Sequence, residues 1–312
     1  HGLCVFSPIP SLMDNGCVSF FIIVRRTVTL DTSIWNWQTI LLSPVYLYQT
    51  KQVKRHTLRL AEPQGERKGR SPFFNHSVID KASQDEAPLS MLVLGDSAAA
   101  GVGVVDQSQA LLGQLITALS NESTLAHRYA AIDWQLAATT GHTSFDILRR
   151  LYTITGFPVD IVVISMGVND VTSNTPMADW QQHTQNIIAI LQRKFQAKHI
   201  IFLGLPPMAL MPALPTPLNT LIGKMAQRLD LALQQQITAS EQQRHQSRQA
   251  KNDKTNGHLH YFSSDFLPDA MIDKPVCDNL FAKDGFHPSE LAYQHLASSI
   301  VKYISQVLMP NS

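Results

Sequence analysis

Two polar stretches that lie far apart in the chain carry residue types that could act together on a carbonyl compound. Ser97 follows Gly95 and Asp96, and Asp284 stands three residues before His287. A serine hydroxyl attacks readily once a neutral imidazole takes its proton, and a carboxylate can orient that imidazole and stabilise its charged form. We therefore predict Ser97 as the nucleophile, His287 as the base and Asp284 as the group that orients the base.

Two further stretches supply groups that could stabilise negative charge. Gly141 lies in a Thr-Gly-His-Thr sequence and Asn169 in a Gly-Val-Asn-Asp sequence. When a carbonyl is attacked, charge grows on its oxygen and needs hydrogen-bond donors that are already in place. The backbone N–H groups of Ser97 and Gly141 and the side-chain amide of Asn169 would provide three such donors. Asp170 and Asp96 are predicted to support their own loops.

Three residues are weaker candidates for contact with a substrate. His142 adjoins Gly141, although a polar loop residue is the favoured interpretation. Residues 205–218 contain five prolines and should follow a strand on the same side as the other candidates. In that stretch, Met208 and Leu210 could form an adaptable apolar wall of an acyl pocket. A buried connector that packs on the sheet is nearly as good an interpretation.

These candidates need a scaffold, and the hydrophobic pattern after about residue 88 predicts one. Short apolar runs typical of buried strands alternate with segments whose apolar residues recur every three to four positions. The predicted strands are Met91–Leu94, Trp134–Ala138, Ile161–Ser165, Ile200–Leu203 and His258–Phe262. The helical patterns run through Trp180–Phe195, Leu221–Ala232 and Leu291–Leu308.

This alternation favours a parallel sheet that helices cover on both faces. Polar residues that follow the strands would then meet at the edge where the strands end, which is where such sheets bind ligands. Pro288 is expected to be the first residue of the last helix, since a missing N–H costs nothing there. The stretch 234–257 is expected to end a helix and then form an exposed loop.

Composition limits the class of protein. With 312 residues, 44% of them hydrophobic and 16% charged, the chain can bury a large core and wholesale disorder is excluded. A formal charge of +1 gives no reason to expect nucleic-acid binding. Three cysteines without a C-x-x-C pair exclude a disulfide framework. His258 and His260 lack a third ligand nearby, so we predict no metal site and no cofactor.

The first 87 residues are predicted to be an extension that precedes a catalytic domain at 88–312. No apolar stretch reaches the roughly 18–20 residues needed to span a bilayer, and we identify no signal peptide. Residues 51–70 hold seven Lys or Arg and two Glu, a net charge of +5. Residues 34–70, apolar first and basic later, are therefore a candidate for peripheral contact with an anionic membrane. A solvated, partly disordered extension is the favoured alternative.

Taken together, the four polar stretches resemble the sequence blocks of the SGNH (GDSL) hydrolase family of esterases, lipases, thioesterases and lysophospholipases. The matching residues are Gly95-Asp96-Ser97 with Gly101, then Gly141, then Gly167-Val168-Asn169-Asp170, and finally Asp284-Gly285-Phe286-His287-Pro288. The resemblance covers about residues 90–308. It implies a flavodoxin-like three-layer α/β/α sandwich, a Ser97–His287–Asp284 triad, and an oxyanion hole from Ser97, Gly141 and Asn169.

The expected function is a serine esterase or lipase that hydrolyses a small-molecule acyl ester of short to medium chain length through an acyl-enzyme intermediate. Alternatives on the same site are thioesterase or lysophospholipase activity and deacetylation of carbohydrate. An alternative of another class is a nonhydrolytic nucleotide- or flavin-binding module, because fold alone does not decide function. Gly101 and Gly103 follow a strand but lack the third glycine of a dinucleotide site.

Overall fold

A computed structural model describes residues 37–74, 87–250, 257–263 and 279–309. The helices are α1 (Trp37–Leu41), α2 (Ser43–His56), α3 (Ser97–Ala100), α4 (Leu111–Ser120), α5 (Ser123–Ala126), α6 (Ser144–Thr153), α7 (Val168–Thr172), α8 (Met177–Lys194), α9 (Leu218–Ala250) and α10 (Glu290–Leu308). The strands are β1 (Lys68–Pro72), β2 (Leu89–Gly95), β3 (Ala131–Ala138), β4 (Ile161–Ser165), β5 (His199–Leu203) and β6 (His258–Phe262). A 3₁₀ turn at Met208–Leu210 lies between β5 and α9.

Within the described residues, six strands form one sheet in the order β1-β3-β2-β4-β5-β6. β1 runs antiparallel to β3, and all the other neighbours are parallel. After β2 the chain adds β3 on one side and β4 on the other, so the strand order reverses at β2. Ligands of such sheets bind beyond the carboxyl ends of the strands at this switch point. The five parallel strands have the flavodoxin-like order, and the predicted fold class is confirmed.

Alternate strand residues pack into two separate cores, one on each face of the sheet. Leu92 and Leu94 belong to a core that also contains apolar residues of α6, α8 and α9. Met91 and Val93 belong to the other core, which contains apolar residues of α4 and α10. Successive strand residues point to opposite faces, so a strand with helices on both sides must be apolar throughout. The continuous apolar runs of the sequence therefore mark the middle layer of three.

Strand β1 lies within the segment 63–72, for which the sequence shows only an irregular clustering of Gly, Pro, Arg and Ser. β1 is an edge strand, and an edge strand does not need alternating apolar residues. Its pairing with β3 is fixed by side chains: Arg70 forms an ion pair with Asp133, and the Trp134 indole N–H donates to Ser71 Oγ. One strand of the sheet thus comes from the first 87 residues. The domain boundary at 87/88 itself stays a prediction.

Two helices differ from their predicted bounds. α10 begins at Glu290, not at Pro288, because the Ser289 hydroxyl accepts a hydrogen bond from the Ala292 N–H and caps the helix. α9 continues to Ala250, well into the stretch predicted to become a loop, because Gln, Arg, Glu and Ala favour helix. Across the described ranges, the helices lack the combination of length and apolar character that crossing a bilayer requires.

Candidate active site

Ser97 stands directly beyond the central strand of the sheet. β2 ends at Gly95, which has a φ of +150°. A Cβ added at this position would lie 2.1 Å from the Ser165 carbonyl oxygen, so there is no room for a side chain. Asp96 then caps α3 by accepting a hydrogen bond from the Ala98 N–H. Ser97 is the first residue of α3, and its side chain is half-buried. The strand end and the cap together fix the position of its hydroxyl.

The loop before α10 carries Asp284 and His287. Asp284 Oδ1 accepts from the backbone N–H groups of Phe286 and His287, and its Oδ2 lies 2.5 Å from His287 Nδ1. The other imidazole nitrogen, Nε2, lies 2.9 Å from Ser97 Oγ. The residues predicted for proton transfer, 190 positions apart, therefore meet at one point.

The charge of Asp284 is set by two opposing effects. Burial acts to raise the pKa of this carboxyl, while the hydrogen bonds from the His287 imidazole and from two backbone N–H groups lower it. The net shift of the pKa is downward. Asp284 is therefore ionised at neutral pH, as a group that holds an imidazolium must be.

The predicted charge-stabilising groups lie on two neighbouring loops. Gly141 is exposed, has a φ of +83° and has open space around the position of a Cβ. Asn169, in the first turn of α7, donates one amide hydrogen to the His142 carbonyl oxygen at 3.0 Å. A side-chain amide has two hydrogens, so one remains for a ligand. The Asn169 amide thus lies against the loop that contains Gly141.

Asp170 connects these two loops from inside the protein. Its carboxylate accepts from the Ser144 N–H at 2.8 Å and from the Ser144 hydroxyl at 2.6 Å, and both residues are fully buried. His183 Nδ1 lies 2.9 Å from the same hydroxyl. Ser144 starts α6, three residues after Gly141, while Asp170 follows Asn169 directly. Asp170 therefore holds the neighbouring loop as well as its own.

Glu62 contributes to the site although no local sequence pattern indicates it. Its Oε1 accepts from both the N–H and the hydroxyl of Thr140, at 2.7 and 2.8 Å. Its Oε2 forms a 2.9 Å ion pair with Arg67, which also donates to the Ala138 carbonyl oxygen. Thr140 is the residue before Gly141, so a carboxylate 78 positions away restrains the loop of the predicted oxyanion hole.

Asp96 is the most deeply buried carboxyl next to the nucleophile. It is 1% exposed, and burial raises its pKa to about 6. Its Oδ1 accepts from Ala98 N–H, while its Oδ2 has no partner among the described residues. These contacts fit the predicted role as a local support of the turn.

The weaker candidates occupy different environments. Met208 is 1% exposed and belongs to the core, whereas Leu210 is 47% exposed. The proline-rich loop that contains them contacts the catalytic loop through a hydrogen bond from Ala213 N–H to Gly285 O. His142 is half-buried, and no partner of its Nδ1 is described. Contact of all three with substrate stays a prediction, for which Leu210 is the better placed of the two loop residues.

The described ranges contain no group of three or more His, Cys, Asp or Glu arranged to hold a metal ion. His258 and His260 lie on β6, in a cluster with His199 at the start of β5. This places them at the sheet edge opposite to Ser97, so they take no part in its site.

Comparisons with known proteins bear on the class of this site. A family model described as GDSL-like lipase/acylhydrolase family matches residues 93–295, a span that contains Ser97, Asp284 and His287. A comparison with curated proteins finds no match.

Several solved structures are similar to the chain at low sequence identity. A lipase/acylhydrolase from Enterococcus faecalis is 22% identical with a TM-score of 0.44, covering 70% of this chain and 96% of that one. The psychrotrophic esterase EstA from Pseudoalteromonas sp. is 22% identical with a TM-score of 0.44, covering 72% and 99%. Axe2, an acetylxylan esterase from Geobacillus stearothermophilus, is 15% identical with a TM-score of 0.48, covering 70% and 95%.

Proposed function

Since the chain belongs to the GDSL-like lipase/acylhydrolase family and is a hydrolase that acts on esters, we propose that it cleaves short- to medium-chain acyl esters through an acyl-enzyme intermediate on Ser97. The observation that supports this most directly is the continuous line from Asp284 Oδ2 through the His287 imidazole to Ser97 Oγ, with separations of 2.5 and 2.9 Å. Both distances are within hydrogen-bonding reach, as proton transfer requires.

In the first half of the reaction, Ser97 Oγ bonds to the ester carbonyl carbon and its proton passes to His287 Nε2. The carbonyl oxygen becomes an oxyanion, which the N–H groups of Ser97 and Gly141 and the free amide hydrogen of Asn169 stabilise. The carbon–oxygen bond to the alcohol then breaks, and His287 returns the proton to the departing alkoxide. An acyl group remains on Ser97.

In the second half, water attacks the acyl carbon and gives its proton to His287. The tetrahedral intermediate collapses, the bond to Ser97 Oγ breaks, and the proton returns to this oxygen as the acid leaves. Asp284 keeps the imidazole in the tautomer that accepts a proton at Nε2 and stabilises its charged form. The cycle uses no cofactor.

The proposal is tested with p-nitrophenyl esters of increasing acyl length and with an activity-based fluorophosphonate probe. We expect the Ser97→Ala variant to lose activity by about 10⁴-fold or more and to lose covalent labelling. Ser123→Ala, at an exposed serine in α5, is the matched control and should retain both. Labelling that persists in Ser97→Ala would contradict the assignment of the nucleophile.

The same variants define the class of acyl substrate. Esters, thioesters and lysophospholipids of equal acyl length are compared by kcat/KM on wild type and on Ser97→Ala. Higher kcat/KM on esters of short to medium chain is the expected result. A clear preference for the thioester or the lysophospholipid would replace the proposed substrate and leave the mechanism in place.

A further inference from the structure

α1 and the first half of α2 expose an unusual number of large apolar side chains. In the part of the chain that the structure describes, these side chains are mostly open to solvent: Leu47 is 73% exposed, and Trp37 and Leu41 are each 71% exposed. The complete set is Trp37, Ile40, Leu41, Val45, Leu47 and Tyr48. Contiguous apolar groups of this kind mark an interaction surface, whereas single exposed residues do not.

The orientation of α2 shows which of its faces is available. Tyr46, Gln49 and Val53 recur at helical spacing and are half-buried, so they form the inner face. The Gln49 side chain donates to the Thr216 carbonyl oxygen at 2.8 Å and accepts from the Leu218 N–H at 3.1 Å. These two bonds fasten α2 to the loop that follows β5. Leu47 and Tyr48 consequently lie on the outer side.

The outer face changes character along the helix. Its apolar first half is followed by Lys51, Lys54 and Arg55, all exposed, and residues 37–61 contain no Asp or Glu. At 1.5 Å of rise per residue, the basic side chains follow Leu47 and Tyr48 at distances of about 5 to 12 Å along the helix axis. The exposed side of α1 and α2 thus offers both the apolar and the basic side chains that interfacial helices use to bind anionic lipid.

We propose that α1 and α2 dock the protein on an anionic lipid surface. The apolar side chains enter the boundary between headgroups and acyl chains, a region in which Trp and Tyr of membrane proteins are enriched. Lys51, Lys54 and Arg55 remain at the level of the phosphates, which attract them. A second copy of the chain is a poorer occupant, because the same surface of that copy has no Asp or Glu in residues 37–61 to pair with the basic side chains.

The position of this surface links it to the active site. Residues 205–218 contact α2 through Thr216 and contact the catalytic loop through the bond from Ala213 N–H to Gly285 O. One loop therefore contacts both the docking helix and the catalytic loop, and docking brings the protein to lipid, where amphiphilic esters collect. This consequence for substrate choice depends on the proposed function, whereas docking itself does not.

The test measures co-sedimentation of the full chain with unilamellar vesicles of phosphatidylcholine alone and of phosphatidylcholine with phosphatidylglycerol at 3:1. The Ser97→Ala background prevents hydrolysis of the lipid. We expect binding to the anionic vesicles that weakens with salt. Lys54→Ser and Arg55→Ser should each lower the partition coefficient about fivefold.

A pair of tyrosines gives a matched control for the apolar part. Tyr48 on α2 is 64% exposed and Tyr152 on α6 is 66% exposed. We expect Tyr48→Glu to lower vesicle binding at least tenfold and Tyr152→Glu to leave it unchanged. Hydrolysis of a soluble short ester should be the same in both, which separates lost docking from lost catalysis.

Three results would overturn the proposal. The full chain could fail to bind anionic vesicles, as it would if residues 1–36 cover the surface. The two tyrosine variants could bind equally well. Sedimentation velocity could instead reveal a dimer that Tyr48→Glu dissociates without any vesicle binding. A chain that binds vesicles but hydrolyses no ester would contradict the proposed function alone.

Discussion

At both ends of the parallel strands an imidazole lies next to a hydroxyl, yet the surroundings of the two imidazoles differ. At the edge where the parallel strands end, His287 Nε2 lies 2.9 Å from Ser97 Oγ. At the edge where β5 and β6 begin, His260 Nδ1 lies 3.0 Å from the hydroxyl of Tyr303. We call these the carboxyl edge and the amino edge.

The second partner of each imidazole makes the difference. His287 has the Asp284 carboxylate at its other nitrogen, whereas His260 has the imidazole of His199 at 3.2 Å. The nearby carboxylate of the amino edge, Glu241, is committed to Arg244 and to the Leu259 N–H. Glu241 favours the charged form of His260 only from a distance, and burial of the ring outweighs its effect on the pKa.

The pKa values express the same contrast. Burial, together with the neighbouring histidines, lowers the pKa of both His199 and His260 to about 4. These histidines are therefore neutral at the pH where ester hydrolysis would occur. A histidine beside a hydroxyl is thus insufficient evidence of a nucleophile. The carboxylate and the converging hydrogen-bond donors separate the two edges.

Removing the carboxylate from the carboxyl edge should erase this difference. For Asp284→Asn we expect kcat to fall by about 10³- to 10⁴-fold, because the amide favours the wrong imidazole tautomer and cannot stabilise the imidazolium. Kinetics on a soluble p-nitrophenyl ester measure the fall. Tyr303→Phe removes the hydroxyl at the amino edge and should keep kcat within twofold. Equal losses of kcat in Asp284→Asn and Tyr303→Phe would show that the carboxyl edge has no special role in catalysis.

Asp170 tests whether the carboxyl edge also needs its two loops held together. Replacing Asp170 with Asn turns one of the two carboxylate oxygens that accept from Ser144 into an N–H₂ donor and removes the negative charge, so one charge-assisted hydrogen bond is lost and the other is weakened. We expect a loss of about 1–3 kcal/mol in the free energy of unfolding and a 10- to 100-fold lower kcat.

Urea unfolding and steady-state kinetics measure the two effects of Asp170→Asn. Ser144→Ala keeps the backbone hydrogen bond to Asp170 and should lose less of both. A destabilised Asp170→Asn enzyme with normal kcat would show that Asp170 serves folding alone.

Variants of Glu62 test whether residues far from the sequence motifs contribute to the active site. In Glu62→Ala the Thr140 N–H and hydroxyl lose their acceptor, so the Gly141 loop is less well fixed. We expect kcat to fall about tenfold with little change in KM, because the loop acts in the transition state. Glu62→Gln can still accept from Thr140 and should recover part of the rate.

Glu66, an exposed glutamate four positions along, provides the control for Glu62. Glu66→Ala should match wild type in kcat and in melting temperature. If Glu62→Ala instead raised KM and left kcat intact, Glu62 would act on substrate binding and not on the geometry of the loop.

The smallest expected effect belongs to the amino edge and concerns stability. The folded pKa of His199 and His260 is about 4 against 6.5 in the unfolded chain, so the unfolded chain binds more protons between these values. The free energy of unfolding should therefore fall as the pH is lowered from 6.5 towards 4. We expect the free energy of unfolding to fall by about 1–2 kcal/mol, because both rings are partly exposed and solvent screens their charges.

Urea unfolding at pH 7.5 and pH 5 measures this dependence. His260→Gln should flatten it, while His127→Gln, at an exposed histidine, should not. Identical pH dependence in wild type and His260→Gln would remove the amino-edge cluster as its cause.

The sequence predicted the parts of this protein that local patterns encode. Five strands were identifiable because buried parallel strands must be apolar on both faces. Ser97 and His287 are predictable as partners because a serine nucleophile needs a base, and their side chains lie within hydrogen-bonding distance. Membership in the ester hydrolase family also decides against the nonhydrolytic binding module.

Other features depend on contacts that no local pattern reveals. β1 is held by β3, and Glu62 acquires its place from Thr140, which is 78 positions away. Neither residue type nor spacing distinguishes Glu62 from Glu66, its exposed neighbour in the same basic run. The predicted start of α10 at Pro288 is wrong because Ser289 caps the helix, so Pro288 lies before it.

The location of β1 determines which residues must be included when the catalytic domain is produced alone or transferred to another protein. A polypeptide that begins at residue 88, the predicted start of the catalytic domain, would lack Glu62, Arg67 and the whole of β1. It would retain every residue of the proposed triad, yet β3 would become the outermost strand with its hydrogen-bonding groups open. Bare strands of that kind recruit other chains and aggregate. Engineering that transplants this active site would therefore have to carry residues 62–72 along with it.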